Sequence, residues 1–291
     1  MKPPGADLAR YDSPERQRPI GRPRSDATVI ELLQGYLMDE ARKRTIRQAV
    51  AGGRFCAVLL DDGGVGVANL CPDVCGEPSR WTSVLLPPAG TPAMEVLKAL
   101  AVPERSAIGV ATANALANRF PDGGGLLDQL SIRGDLLDVL ELKPDDHVGM
   151  VGCFSPLVDP LRRRIRRLSI FERGPRLAPG LLDENQAGEL LPDCSVALIT
   201  ATTLMNGTID ALLAAARKCR EIVLLGPSTP LVPEVFARLP RRATLLAGVV
   251  VTNPEELLHT VVRGGGTRDF KTSVAKVNVR VSTVAKKSPL A

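Results

Sequence analysis

The spacing of apolar positions changes along the chain, and each change predicts a different kind of element. From residue 27 onward Val29, Ile30, Leu33, Leu37 and Ala41 recur at mainly three- and four-residue intervals, which predicts an amphipathic helix of roughly 15 to 20 residues. The runs Arg54-Phe-Cys-Ala-Val-Leu-Leu60 and Val65-Gly-Val-Ala-Asn-Leu70, joined by Asp61-Asp-Gly-Gly64, read as strand, glycine turn and strand. Segments 92–101 and 104–119 are helical in pattern, and the second is dense in Ala and Asn, whose small side chains allow close packing. After Pro144 the pattern becomes a regular beat. Continuous Val, Ile and Leu runs predict strands at 147–154, 169–173, 196–201, 221–226 and 244–251, with helices near 156–167, 183–190, 207–219, 230–239 and 253–263. Each strand returns through a helix of crossover length, so a parallel, doubly wound sheet covered on both faces is expected.

This pattern divides the chain into four parts. Residues 1–26 are rich in Pro and Arg, bury too little apolar surface to offset chain entropy, and are expected to be a disordered arm. An α+β domain is expected over 27–125, ending at the break Pro121-Asp-Gly-Gly-Gly125. An α/β domain follows over 126–271, entered through a linking helix at 127–140, and 272–291 is expected to be a basic tail without a partner element.

Composition fits such a chain: 291 residues, 44% hydrophobic and 24% charged, with no apolar run of the roughly 18 to 20 residues a bilayer span requires. The start carries no apolar signal segment, so a cytoplasmic location is expected. The net charge of +5 could suggest nucleic acid, but it is concentrated at the ends. Residues 1–24 and 263–291 together carry +9, leaving about −4 on 25–262. With one Trp and two Tyr, base-stacking platforms are scarce, and Arg162-Arg-Arg-Ile-Arg-Arg167 is read as a solvated helix face. Nucleic acid is therefore not an expected partner, and homo-oligomerisation stays open.

Small polar residues cluster where three of the strands end: Gly149-Met-Val-Gly152-Cys-Phe-Ser155, Thr200-Ala-Thr-Thr-Leu-Met-Asn206-Gly207-Thr208 and Gly226-Pro-Ser-Thr-Pro230. In open parallel sheets the ligand crevice lies outside the carboxyl ends of the strands, where glycine admits close backbone approach and helix N-termini present free N–H groups. The same residue types also serve as helix caps: Asn206, Thr208, Ser228 or Thr229 could cap the helices that follow. Glu172 stands 23 residues beyond Gly149, close to the spacing of about 20 at which dinucleotide folds place a ribose-binding carboxylate. Against that, the G-x-G-x-x-G fingerprint is missing and the bulky Phe154 occupies the turn. Glu172 and Asp210 are candidate acid or base groups, with Thr200, Asn206 and Ser228 orienting a substrate.

The six cysteines are expected to be reduced thiols. Cys71-Pro-Asp-Val-Cys75, with Cys153, offers a weak soft-metal pattern, whereas loop and core roles explain the same residues. His147 and His259 lack the sequence neighbours of a ligand or base. No G-x-S-x-G elbow, Walker A loop or H-E-x-x-H occurs.

Several segments together resemble a known family. Val148-Gly-Met-Val-Gly-Cys-Phe154, Phe171-Glu-Arg-Gly-Pro175, Leu190-Leu-Pro-Asp193, Ile199-Thr-Ala-Thr-Thr-Leu-Met-Asn-Gly-Thr208, Leu225-Gly-Pro-Ser-Thr-Pro-Leu231, Leu246-Ala-Gly-Val-Val250 and Gly264-Gly-Gly-Thr-Arg268 resemble, in order, the C-terminal domain of the "putative heavy-metal chelation" family. The hairpin and Gly109-Val-Ala-Thr-Ala-Asn-Ala115 resemble its N-terminal domain. The resemblance covers about 27–271 and implies an α/β chain in which a Rossmann-like domain follows a smaller domain similar to the enolase N-terminal fold, with a cleft between them. By motif position, Asn114, Gly152, Glu172, Thr200, Asn206, Gly207, Thr208, Gly226, Pro227 and Ser228 would border that cleft, Glu172 and Asn206 as the candidate catalytic pair. His147 and the basic tails depart from the family pattern. Three readings follow. The chain is a binding or metal-handling protein for a small anionic ligand or metal complex, an enzyme using a nucleoside-type cofactor or polar metabolite, or an interaction scaffold with basic arms.

Overall fold

A computed structural model of the protein describes residues 27–76, 85–119, 127, 130–174 and 178–281. The arm expected at 1–26, the break at 121–125 and the end of the expected tail, 282–291, lie outside these residues.

Helix α1 (Val29–Ala41) opens on a reciprocal cap: Thr28 Oγ1 accepts from the Glu31 amide at 3.2 Å, and Glu31 Oε2 accepts from the Thr28 amide at 2.8 Å. Val29, Leu33, Leu37 and Ala41 form its buried face, as their spacing predicts. Strands β1 (Ile46–Gly52), β2 (Phe55–Leu60) and β3 (Val65–Asn69) make an antiparallel sheet in that order. The β2–β3 hairpin matches expectation. Strand β1 has a register irregularity between Ile46 and Gln48, and that offset hides its two-residue period in the sequence. Short helices α2 (Pro72–Cys75) and α3 (Ala93–Leu97) lead to α4 (Ser106–Ala117), buried at every position from Ser106 to Leu116. A helix buried all round needs small side chains where other backbones approach. Gly66 of β3 shows the limit: a Cβ there would stand 2.1 Å from Ala111 O and 2.2 Å from Ala115 N.

The second sheet begins at β4 (Ser131–Arg133), followed by α5 (Leu136–Val139), β5 (His147–Val151), α6 (Ser155–Arg162), β6 (Arg167–Glu172), β7 (Leu182–Asp183), α7 (Ala187–Leu190), β8 (Val196–Thr200), α8 (Ile209–Ala215), β9 (Glu221–Leu225), α9 (Pro233–Ala237), β10 (Leu245–Val251), α10 (Pro254–Val262) and β11 (Val274–Arg280). Its strand order is β4-β11-β10-β9-β8-β5-β6-β7. From β10 to β7 every pairing is parallel, which places the five predicted strands at the centre. The protein is thus a mixed α/β chain with a parallel-rich sheet and a smaller antiparallel one.

Two expectations are corrected at the far edge of this sheet. The segment after Lys271 is not partnerless: β11 pairs antiparallel along the whole of β10. Its charges disguise it, yet they have specific partners. Arg280 reaches Glu221 Oε1 at 2.7 Å and Val139 O at 2.9 Å, while Lys276 reaches Asp135 Oδ1 at 2.5 Å. Within the segment expected as a linking helix, Ser131–Arg133 instead forms a strand on β11, because the edge backbone of β11 needs hydrogen-bond partners. One apolar cluster runs through both units, from Val29 and Leu33 to Ile199 and Leu224.

At the opposite ends of the strands Asp146, 3% exposed, binds both Arg220 nitrogens at 2.6 and 2.7 Å, accepts from Ser195 Oγ at 2.7 Å and accepts from the Lys143 amide at 2.7 Å. Burial pushes this carboxyl up, but the hydrogen bonds, led by Arg220, outweigh it and hold the group below the usual carboxylate range.

Two predictions follow from this packing. Gly66→Ala should lower the unfolding free energy by about 3 kcal/mol, since β3 must move off α4, and urea unfolding would read the loss. The stability supplied by Asp146 is present above its unfolded value of about 3.9 and is lost as pH falls through the lower folded value. Arg220→Gln should therefore cost about 3 kcal/mol at neutral pH and reduce the acid dependence of the urea midpoint.

Candidate functional site

The chain leaves β5 toward β6 on one side and returns at β8 on the other, so the loops after β5 and β8 diverge at the sheet's carboxyl edge. Gly152 and Thr200 meet at this divergence. Gly152 has φ +84°, and a Cβ on it would lie 3.0 Å from the Thr200 Cβ and methyl carbon. Its amide donates to Phe171 O at 2.8 Å, tying the end of β5 to β6. Glu172 extends that tie: its carboxylate accepts from the Cys153 amide at 2.6 Å and the Arg173 amide at 2.9 Å. Glu172 is thus a brace across two strand ends, with each oxygen engaged by backbone.

Phe154 fills the space beyond. A Cβ on Gly226, which has φ +116°, would lie 3.8 Å from its ring. The Phe154 amide, at the start of α6, donates only to the thioether of Met150, 3.4 Å away, a weak acceptor. This amide has no oxygen acceptor.

The cluster after β8 is largely occupied with its own turn. Thr200 Oγ1 accepts from the Thr202 amide at 3.3 Å and lies 3.0 Å from the Thr202 hydroxyl. Asn206 Oδ1 accepts from both the amide and the hydroxyl of Thr208, at 3.1 and 2.7 Å, across Gly207 at φ +72°. Asn206, Gly207 and Thr208 therefore form an Asx turn rather than a side-chain cap on α8. Asp210, a candidate acid or base, accepts from the Val29 amide at 3.0 Å and so caps α1 from the second unit.

The cluster after β9 joins the two units. Ser228 Oγ accepts from the Asn69 amide at 2.9 Å. Asn114 Nδ2 donates to Val67 O at 2.9 Å and more weakly to Pro227 O at 3.4 Å. Asn118, the residue that closes α4 one turn further on, donates to Thr229 O at 2.8 Å and Val249 O at 3.3 Å, and accepts from the Leu231 amide at 2.7 Å. Sequence reasoning missed Asn118. The signal was its position four residues after Asn114, on the same face at the end of an alanine-rich helix. Asn114 Oδ1 and Thr229 Oγ1 are buried without a hydrogen-bond partner.

The cysteines stay apart from this chemistry. All six are free. Burial, with Cys75 adjacent, pushes the Cys71 thiol up to about 11, and burial raises Cys75 as well. Cys153 Sγ lies 3.9 Å from Ser155 Oγ. Among the described residues no group of three or more His, Cys, Asp or Glu side chains is placed to hold a metal ion. A bare cation requiring such a set does not fit here. His147 is engaged at both ring nitrogens, by Asp193 O at 3.2 Å and Ser169 Oγ at 2.9 Å.

The architecture defines a class: a two-sheet α/β protein whose polar loops gather at the carboxyl edge of parallel strands. Comparison with known proteins narrows this class. Residues 135–280 match the DUF364 family and residues 35–117 match DUF4213, both described as "Putative heavy-metal chelation". The chain belongs to the DUF364 family. A solved DUF364 protein of unknown function from Pyrococcus horikoshii superposes with a TM-score of 0.75 over 87% of this chain and 100% of that one, at 22% identity. Another, from Desulfitobacterium hafniense DCB-2, gives 0.69 over 85% and 98%, at 24% identity. These likenesses show the shared fold. An uncharacterized protein of Methanocaldococcus jannaschii is 34% identical over 101 residues, a stretch covering 33% of this chain and 39% of that relative.

The geometry at the divergence carries its own test. Gly152→Ala should destabilise the protein by about 1–3 kcal/mol in chemical denaturation, because alanine is strained at this φ. A Thr200→Ser background should recover only the part due to the lost methyl contact.

Proposed function

We propose that the chain binds a small anionic ligand or a metal complex at the carboxyl edge of β5, β6, β8 and β9, where the second sheet meets β3 and α4. The observation that carries this reading is Asn114. Its nitrogen is held by two carbonyls while its oxygen is buried without a partner. A buried acceptor left unpaired costs about 1–3 kcal/mol, so a ligand N–H, O–H or coordinated water that reaches it gains by filling it. One residue away from the Asn114-bound Pro227, Gly226 adjoins the Phe154 ring, and the Phe154 amide, bonded only to a thioether, would gain by donating to an anion. A metal chelate that brings its own carboxylate or phosphate and its own bound water supplies both complements. The metal in the family description then belongs to the cargo, with its coordination completed by the chelator rather than by a set of protein side chains.

An enzyme using a nucleoside-type cofactor has less support. Its main residue, Glu172, already accepts from two backbone amides, and Phe154 crowds the turn where a pyrophosphate would need bare backbone.

Native mass spectrometry with elemental analysis of freshly purified protein tests the reading. A metal complex or small anion is expected to co-purify, with retention at least about tenfold lower in Asn114→Ala, a loss of about 1.4 kcal/mol in binding. A co-purifying nucleoside would favour the enzyme reading. Unchanged retention in both Asn114→Ala and Glu172→Gln would remove this edge as the site.

A further inference from the structure

A second piece of chemistry lies at the opposite edge of the same sheet. His147 begins β5, and Cys194 precedes β8, its neighbour in the sheet. The ring nitrogen Nε2 of His147 stands 3.7 Å from Cys194 Sγ. The sulfur lies over a bare backbone: a Cβ on Gly149 would come within 2.9 Å of it. Glycine at that position is what allows the thiol to sit beside the ring.

The protonation pattern of the ring is fixed by its neighbours. Asp193 O, 3.2 Å from Nδ1, can only accept, so Nδ1 carries the proton. Nε2 then presents its lone pair, where it accepts from the Ser169 hydroxyl at 2.9 Å. An N–H held by a backbone carbonyl with the other nitrogen left basic is the arrangement that orients metal-ligating histidines. We propose that His147 Nε2 and Cys194 Sγ form a binding site for a thiophilic cation such as Cu(I) or Ag(I), separate from the polar edge described above.

The distance suits one shared ion. With sulfur at about 2.3 Å and imidazole nitrogen at about 2.0 Å from a metal, donors 3.7 Å apart subtend an angle of about 120° at the ion. Soft ions favour thiolate, and Cu(I) or Ag(I) held at this bent angle completes its coordination with solvent or a buffer ligand, because no third His, Cys, Asp or Glu completes the set among the described residues. Burial foremost, and then Arg167, hold His147 below its ordinary value, so the ring is neutral and free to coordinate at neutral pH. Burial pushes the Cys194 thiol up to about 11, so the resting group is S–H. Binding forms an S–metal bond as the S–H bond breaks. The proton passes to solvent, Nε2 exchanges the Ser169 hydrogen bond for the metal, and no electrons are transferred. One proton is released per ion.

The chain contains two histidines, His147 and His259, which makes the test site-resolved. Protein labelled with nitrogen-15 at histidine is titrated with Ag(I) in nitrate buffer, with proton release and retained silver measured on the same samples. The first equivalent should shift Nε2 of one ring, assigned by its absence in His147→Asn, and release one proton. Cys194→Ser should weaken that binding at least about tenfold, or about 1.4 kcal/mol. His147→Asn, which keeps the thiol, should weaken first-equivalent silver retention at least about tenfold as well. Ser169→Ala, which removes only the competing hydroxyl, should bind as tightly as wild type or more so, and Cys71→Ser should leave the shift intact. The proposal is overturned if the first equivalent moves neither ring, if the shift survives Cys194→Ser, or if silver retention is unchanged in His147→Asn. Such results would leave the reading of the polar edge untouched.

Discussion

A buried loop must find partners for its backbone, and the loop after β9 meets this constraint at the junction of the two units. Ser228, Thr229 and Leu231 are almost wholly excluded from solvent. Their carbonyls and amides cannot be paired within one strand, because the chain is turning from β9 toward α9. Side chains at and just past the end of α4 complete the pairing, Asn114 donating to Pro227 O and Asn118 taking both Thr229 O and the Leu231 amide, while Ser228 Oγ in turn accepts from the Asn69 amide of β3. The smaller sheet is therefore more than an appended domain. It supplies hydrogen bonds without which this end of the large sheet could not be dry, and Asp210 returns the favour by capping α1.

Close backbone approach is the second half of that arrangement. Gly66 lets β3 lie against α4, and α4 carries Asn114 and Asn118 toward the loop on one face. At the divergence of β5 and β8, Gly152 makes the corresponding approach to Thr200. Most polar atoms at the edge then serve one another: Glu172 braces two amides, and Asn206 closes its own turn. What remains unpaired is small and specific, chiefly Asn114 Oδ1, Thr229 Oγ1 and the weakly bonded Phe154 amide. The functional reading rests on these leftovers because residue type alone fails to separate a ligand contact from a cap.

The central parallel strands were legible because each is a continuous apolar run, the pattern of a strand covered on both faces. Strand β1 was missed where an irregular register breaks its alternation, and β11 where Lys276 and Arg280 mimic a solvated tail. The edge clusters were found by their glycines and hydroxyls. Their division into occupied and unoccupied groups was not, since a hydrogen bond between residues 114 and 227 has no counterpart in local spacing. His147 shows the same limit. Its sequence neighbours gave no reason to call it a ligand, and its closeness to Cys194 arises from strands adjacent in the sheet but distant in the chain.

The sequence by itself determined the sheet's parallel core, the β2–β3 hairpin, the amphipathic first helix and the collection of small polar residues at the strand ends, all of which depend on periodicity and turn chemistry within a few residues. The tertiary structure decided which strand closes the sheet, which asparagines hold the buried loop, and which polar atoms are left without partners. The physical reason is that a hydrogen bond is satisfied by whatever lies nearby in space, and across this junction the partners are separated by more than a hundred residues.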